Sequence, residues 1–327
     1  FRRGYLHLPE AGSASAPAVA GSADGGRPVN FTPLNLTVRI GCRIVYETTV
    51  ATPILFVVRP RFDERQMVRS EKLTFGFGLP AYEFQDSHGN FVHRAMLLPG
   101  SNEICHDALV AVSSLPDAQG QGMTPTPLSW LPTELLRYTL PSRYCDSDKL
   151  RDFAWRQFGA VPHGAERVQA ICDWVHRNIE YRFASGRPDL SASEVIERRY
   201  GVCRDFAHCA IALCRAFNLP ARYVTGHLPD IGFTDPGTPM DFHAYFEVYL
   251  GGSWFNFDAR FNVPRIGRIK VAHGMDAVDG ALSTIYGEAK LAYFEVWAYQ
   301  VDPMRVCVGD PVDLSKRLDG TPMIRLN

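Results

Sequence analysis

His243-Ala-Tyr-Phe-Glu-Val-Tyr-Leu-Gly-Gly-Ser-Trp-Phe-Asn-Phe-Asp258 reads as two β-rich runs joined by Gly251-Gly252. A Gly-Gly pair between such runs signals a two-residue hairpin, because the favoured turns need positive φ. That loop sets Leu250 opposite Ser253, Tyr249 opposite Trp254, Tyr245 opposite Asp258 and His243 opposite Arg260. A four-residue loop keeps the same pairing; a three-residue loop breaks it. Alternation then gathers His243, Tyr245, Glu247 and Tyr249 with Trp254, Asn256, Asp258 and Arg260 on one face. The opposite face holds Ala244, Phe246, Val248, Leu250, Phe255 and Phe257, an apolar layer fit for a core. His243 and Asp258 become diagonal neighbours on the polar face. Their Cα atoms are about 7–8 Å apart, within reach of an imidazole–carboxylate hydrogen bond.

Upstream of the hairpin the texture is helical. Asp148 to Phe158 is a short helix closed by Gly159, and Val168, Ile171, Cys172, Val175 and Ile179 recur at helical steps over residues 165–179. Ser191-Ala-Ser-Glu194 is a capping box opening a third helix that ends near Gly201. A fourth starts around Cys203 and runs to Asn218, ahead of Pro220. Strands are expected again at residues 222–227. In Gly201-Val-Cys-Arg-Asp-Phe206 the cysteine stands in a helix's first turn, beside free backbone N–H groups and the positive end of the helix dipole. That placement favours thiolate and offers donors for an oxyanion. Cys209 and Cys214 sit mid-helix among Ala, Ile and Leu, where a thiol is packing. A carboxylate on one imidazole nitrogen fixes the tautomer and raises the basicity of the other. Cys203, His243 and Asp258 thus have the makings of a nucleophilic acyl-transfer triad.

The blocks Gly201-Val-Cys-Arg-Asp-Phe-Ala-His208, Leu219-Pro-Ala-Arg-Tyr-Val-Thr-Gly226, Asp241-Phe-His-Ala-Tyr-Phe-Glu-Val248 and Trp254-Phe-Asn-Phe-Asp258 resemble the bacterial transglutaminase-like superfamily. Pro141-Ser-Arg-Tyr-Cys145 and Asp276-Ala-Val-Asp279 extend the likeness, which covers about residues 35–300. The resemblance implies an α+β chain. A sandwich-type all-β domain comes first, then a papain-like core in which a Cys-bearing helix packs on an antiparallel sheet. It implies Cys203 as nucleophile, His243 as general base and acid, and Asp258 as orienting carboxylate. Tyr245 stands where many relatives carry Trp, and is expected as a wall of the cleft. An upstream aromatic completes the oxyanion site in relatives; Tyr181 is the candidate here and Trp174 the reserve. Asp205 and His208 are expected to brace the site, and the loop bearing Asp230 and Asp235 to border the cleft.

The expected reaction is cofactor-free hydrolysis of a peptide or protein amide through an acyl-thioester, since bacterial members of this architecture are described as cysteine proteases. An amine in place of water makes the same centre a protein-glutamine transglutaminase. A peptide-binding module without catalysis is the rival from another class. No metal is expected: Cys203 and His208 lie roughly 140° apart around a helix, and no C-x-x-C pair exists.

The rest of the chain frames this site. Its 327 residues suggest two domains. With 34 Lys+Arg against 35 Asp+Glu there is no basic excess to seek nucleic acid. No apolar run reaches the ~18–20 residues of a membrane span. Eight scattered cysteines imply no disulfide framework and a reduced, cytoplasmic setting. Residues 1–33 read as a disordered Ala/Ser/Gly/Pro-rich tail without a secretory signal. The opening Phe1, in place of Met, suggests that something upstream has been removed. The β domain is expected over 34–112, where Ile54-Leu-Phe-Val-Val58 is one strand and Asp86-Ser-His-Gly-Asn90 a turn. A linker is expected over 113–133, the catalytic domain over 134–302 and a C-terminal extension over 303–327. The residues carry no sign of oligomeric state.

Overall fold

The structure is a computed structural model and describes residues 32–76, 78–233 and 239–314. The expected tail over 1–33 lies almost wholly outside these residues, as do Asp235 and positions 315–327 of the expected extension.

Six strands come first: β1 (Leu36–Thr48), β2 (Thr52–Phe56), β3 (Gln66–Phe75), β4 (Ala81–Gln85), β5 (Phe91–Leu97) and β6 (Gly100–Val112). Four helices follow, α1 (Arg151–Phe158), α2 (Ala165–Asn178), α3 (Ala192–Arg198) and α4 (Cys203–Arg215). Short strands β7 (Glu180–Tyr181) and β8 (Tyr200–Gly201) flank α3. The chain then forms β9 (Ala221–His227), β10 (His243–Leu250), β11 (Ser253–Phe257), β12 (Ile269–Gly274), β13 (Ser283–Ile285) and β14 (Lys290–Gln300). The fold is α+β, as the sequence indicates.

Two four-stranded sheets, ordered β14-β1-β6-β3 and β13-β2-β5-β4, face each other as a sandwich. Ile44, Ile54, Phe56, Leu97, Ile104 and Val296 are buried between them. β1 and β6 pair along their whole length, from Leu36 opposite Val112 to Thr48 opposite Gly100. The two last strands, expected within the catalytic domain, return to these sheets: β14 pairs with β1 and β13 with β2. The described residues from Pro33 onward accordingly cluster as one compact unit.

The third sheet runs β11-β10-β9-β12. Its hairpin has the register read from Gly251-Gly252, with Leu250 opposite Ser253 through Phe246 opposite Phe257, and both glycines adopt positive φ. α4 packs on its apolar face. Every α4 residue from Asp205 to Arg215 is buried, the pattern of a helix enclosed all round. Val168, Ile171 and Val175 of α2 and Ala192 and Val195 of α3 close the core around it. At the C-terminal end the buried Arg215 guanidinium donates to the carbonyls of Ala221, Leu140 and Met275, so no charged donor is stranded.

Residues 113–133 hold no strand but are tied to the third sheet. The Asp117 carboxylate accepts bonds from Asn256 and from the Arg265 backbone and Arg268 guanidinium.

Candidate active site

α4 begins on Val202, which is extended and has no side chain able to cap. Asp205, at the third helical position, does that work: its carboxylate accepts the Val202 N–H at 2.9 Å and is itself fully buried. Cys203 is therefore the first helical residue, and its own N–H is one of the donors that a helix leaves without an intrahelical partner. It lies partly exposed on a cavity of about 320 Å³ shared with His243, Tyr181, Asp241, Arg260 and Phe261. Of the eight cysteines, all free, Cys203 alone lines this cavity. Cys209 and Cys214 are buried in the core, as their mid-helix positions suggest.

His243 opens β10, and its Nε2 lies 2.7 Å from Asp258 Oδ2, just past the end of β11. Asp258 also accepts the Arg268 guanidinium at 2.9 Å and the backbone N–H groups of Arg260 and Phe261 at 3.0 and 3.2 Å. Despite burial, these donors and the charges of His243 and Arg268 hold Asp258 well below the usual carboxylate range. An ionised carboxylate only accepts, so Nε2 carries the proton of the neutral imidazole and Nδ1 keeps its lone pair. The sequence expectation for Tyr245 is corrected here. It does not line the cavity but is buried behind His243, the two rings stacked at 6.4 Å, with Arg268 over its own ring.

The electrostatics also depart from expectation. Burial pushes the Cys203 thiol up to about 11, and the Asp241 and Asp258 charges push the same way. A backbone hydrogen bond from Ala244 and the charge of Arg260 pull back without prevailing. The helix N-terminus by itself favours thiolate, but desolvation outweighs it here. Burial likewise lowers His243 below its ordinary value; Asp258 opposes this, while Arg268 and Arg260 reinforce it. At neutral pH the pair rests as thiol and uncharged imidazole.

Tyr181, on β7, lines the cavity, with the Arg260 guanidinium stacked over its ring. Trp174, the reserve for that role, is instead packed against Phe153 and Phe158 in the core. Asp230 borders the cavity and pairs with Arg265. His208 lies behind the site, stacked on Tyr144, its Nε2 accepting the Ala277 N–H. Sequence reasoning missed Arg268, Asp117 and Asp241, which reach the site from loops without periodicity.

Residues 151–259 match the model of the transglutaminase-like superfamily. The fold aligns with the crystal structure of a "putative cysteine protease" from Cytophaga hutchinsonii at 35% identity and a TM-score of 0.76, covering 82% of this chain and 91% of that one. The chain belongs to the transglutaminase-like superfamily. Shorter matches join this superfamily member to uncharacterized mycobacterial proteins. One from Mycobacterium leprae is 31% identical over 126 residues, 36% of this chain and 44% of that protein. One from Mycobacterium tuberculosis is 34% identical over 95 residues, 29% of each. The chain thus spans less than half the length of these curated relatives. No helix among the described residues of this transglutaminase-like chain is long and apolar enough to cross a membrane.

Proposed function

We propose that the protein hydrolyses an amide bond of a peptide or protein through an acyl-thioester on Cys203. The supporting observation is the convergence of Cys203, His243 and Tyr181 on one cavity, with His243 Nε2 held 2.7 Å from Asp258. The Cytophaga relative's name agrees with hydrolysis. In this reading the Cys203 sulfur forms a bond to the substrate carbonyl carbon as its proton passes to His243 Nδ1. The Cys203 N–H and the Tyr181 hydroxyl stabilise the oxyanion. Collapse breaks the C–N bond, and the imidazolium returns its proton to the departing amine. Water then attacks the thioester with His243 as base, releasing the acid and restoring the thiol. Asp258 stays ionised and orients the ring throughout.

The test is incubation with a mixed peptide pool and mass-spectrometric search for new termini. Cleavage by the native protein, absent in Cys203→Ala and reduced about 10³-fold or more in His243→Ala, is the expected result. No cleavage by the native chain, with a fluorescent primary amine incorporated into glutamine-bearing peptides instead, would make it a transglutaminase. Neither reaction would leave a peptide-binding module.

A further inference from the structure

Among the described residues, two charges in the cavity have no counter-charge. Arg260 is clamped over Tyr181 and Phe261, its guanidinium carbon 3.4 and 4.4 Å from the ring centroids. Stacking of this kind leaves the N–H edge of a guanidinium available for a planar anion. The neighbouring buried arginines are paired, Arg268 with Asp117 and Asp258 and Arg265 with Asp230. Arg260 forms no ion pair among the described residues, and the nearby Asp258 carboxylate is already occupied. Asp241, two residues before His243, is exposed on the same cavity. It accepts the Phe242 N–H at 2.6 Å and has no cationic partner among the described residues. The two do not approach each other within ion-pair distance, yet both act on the Cys203 thiol, with opposite sign.

We infer that the cavity is dipolar and selects an amide substrate with an anionic carboxylate near the scissile bond on one side and a cationic amine on the other, read by Arg260 and Asp241 respectively. A substrate bridging the two poles satisfies charges that the described residues leave open, and their opposite signs set the direction in which it lies. This inference rests on Cys203 as the reacting group within the cavity.

Three small cysteine alkylating agents of different charge test it: iodoacetate, iodoacetamide and 2-bromoethylamine. Adducts on Cys203 are followed by peptide mass spectrometry, which separates them from those on the exposed Cys307. Each charged reagent's rate is divided by that of iodoacetamide, which cancels any change in thiol ionisation. Arg260→Gln is expected to lower the iodoacetate ratio about tenfold or more and leave the bromoethylamine ratio undiminished. Asp241→Asn is expected to do the reverse. A targeted ratio that stays within twofold of the native protein in either variant overturns the inference. The iodoacetamide rate in His243→Ala reports on the nucleophile pair instead, so the two readings fail separately.

Discussion

Asp258 is the residue on which the site's charges meet, because it faces both an imidazole and a guanidinium. Its interaction with His243 favours imidazolium, while Arg268, 2.9 Å from the same oxygen, favours the neutral ring. Burial adds to the second tendency and decides the balance, so His243 stays neutral to a lower pH than a free histidine. A general base must be neutral to act. The acid limb of kcat/KM is therefore expected below pH 6.5, with activity level through neutrality because the thiol ionises only near 11. Replacing Arg268 with Gln removes a cation that lowers the His243 pKa. That pKa then rises, and the acid limb moves to higher pH. A pH–rate profile of Arg268→Gln measures this directly; a limb that stays put or moves down would refute the electrostatic account. The variant also strips a partner from Asp117, so fold integrity needs a parallel urea titration.

At the scale of elements, the hairpin was the most legible part of the molecule. Gly251-Gly252 determines the loop length, the loop length determines register, and register puts His243 and Asp258 within reach of each other. The start of α4 at Cys203 was legible too, but Asp205, expected only to brace the site, also proves to cap the helix through the Val202 N–H. Loops gave no such signal. Asp117 lies in a Pro- and Gly-containing stretch that reads as linker, and Arg268 only meets Asp258 once the chain has turned back toward β12. Their roles depend on long-range contacts that no local period encodes. Tyr245 was assigned to the correct face, but alternation cannot tell that this face is covered by other protein. A further constraint became visible only with the strands in place. Gly226 on β9 pairs with His243 on β10, and a Cβ at Gly226 would lie 1.9 Å from the Ile269 carbonyl oxygen on β12. Backbone on the other side cannot yield without moving β12. Gly226→Ala is expected to destabilise the fold by about 1–3 kcal/mol or more, read as a lower urea midpoint. It should also reduce kcat, because relieving the clash from the other side shifts β9, the strand that pairs with His243. An unchanged midpoint would mean that β12 shifts freely.

Over the whole molecule, the sandwich and the sheet β11-β10-β9-β12 share a buried polar seam. Lys270 on β12 pairs with Glu247 on β10 and with Asp63 from the loop before β3, and Arg222 on β9 joins Glu247. Histidines lie in the same interior. Burial lowers His227 to about 3, helped by the charge of His106 across the seam on β6. Its ring packs 4.6 Å from that of Phe242, and neither ring nitrogen has a hydrogen-bond partner among the described residues. His208 and His243 are lowered as well, again chiefly by burial. A base whose folded pKa lies below its unfolded value of about 6.5 takes its proton first in the unfolded chain. Its stabilising share is present above pH 6.5 and drains away as pH falls toward the folded value. Glu247 adds a second, lower window. Its carboxyl is held far down by Lys270 and Arg222, so its share exists above about pH 4.5 and is lost below. Stability should therefore begin to fall below pH 6.5 and fall further below about 4.5. His227→Phe removes one proton from the upper window while keeping a ring against Phe242. Between pH 6 and 5 it should flatten the slope of unfolding free energy by about 1 kcal/mol per pH unit. Urea titrations of the two proteins at half-unit intervals supply that slope, whatever the variant does to absolute stability. Parallel curves would show that His227 takes up its proton in the folded protein at an ordinary pH, and that the seam between sandwich and sheet admits water.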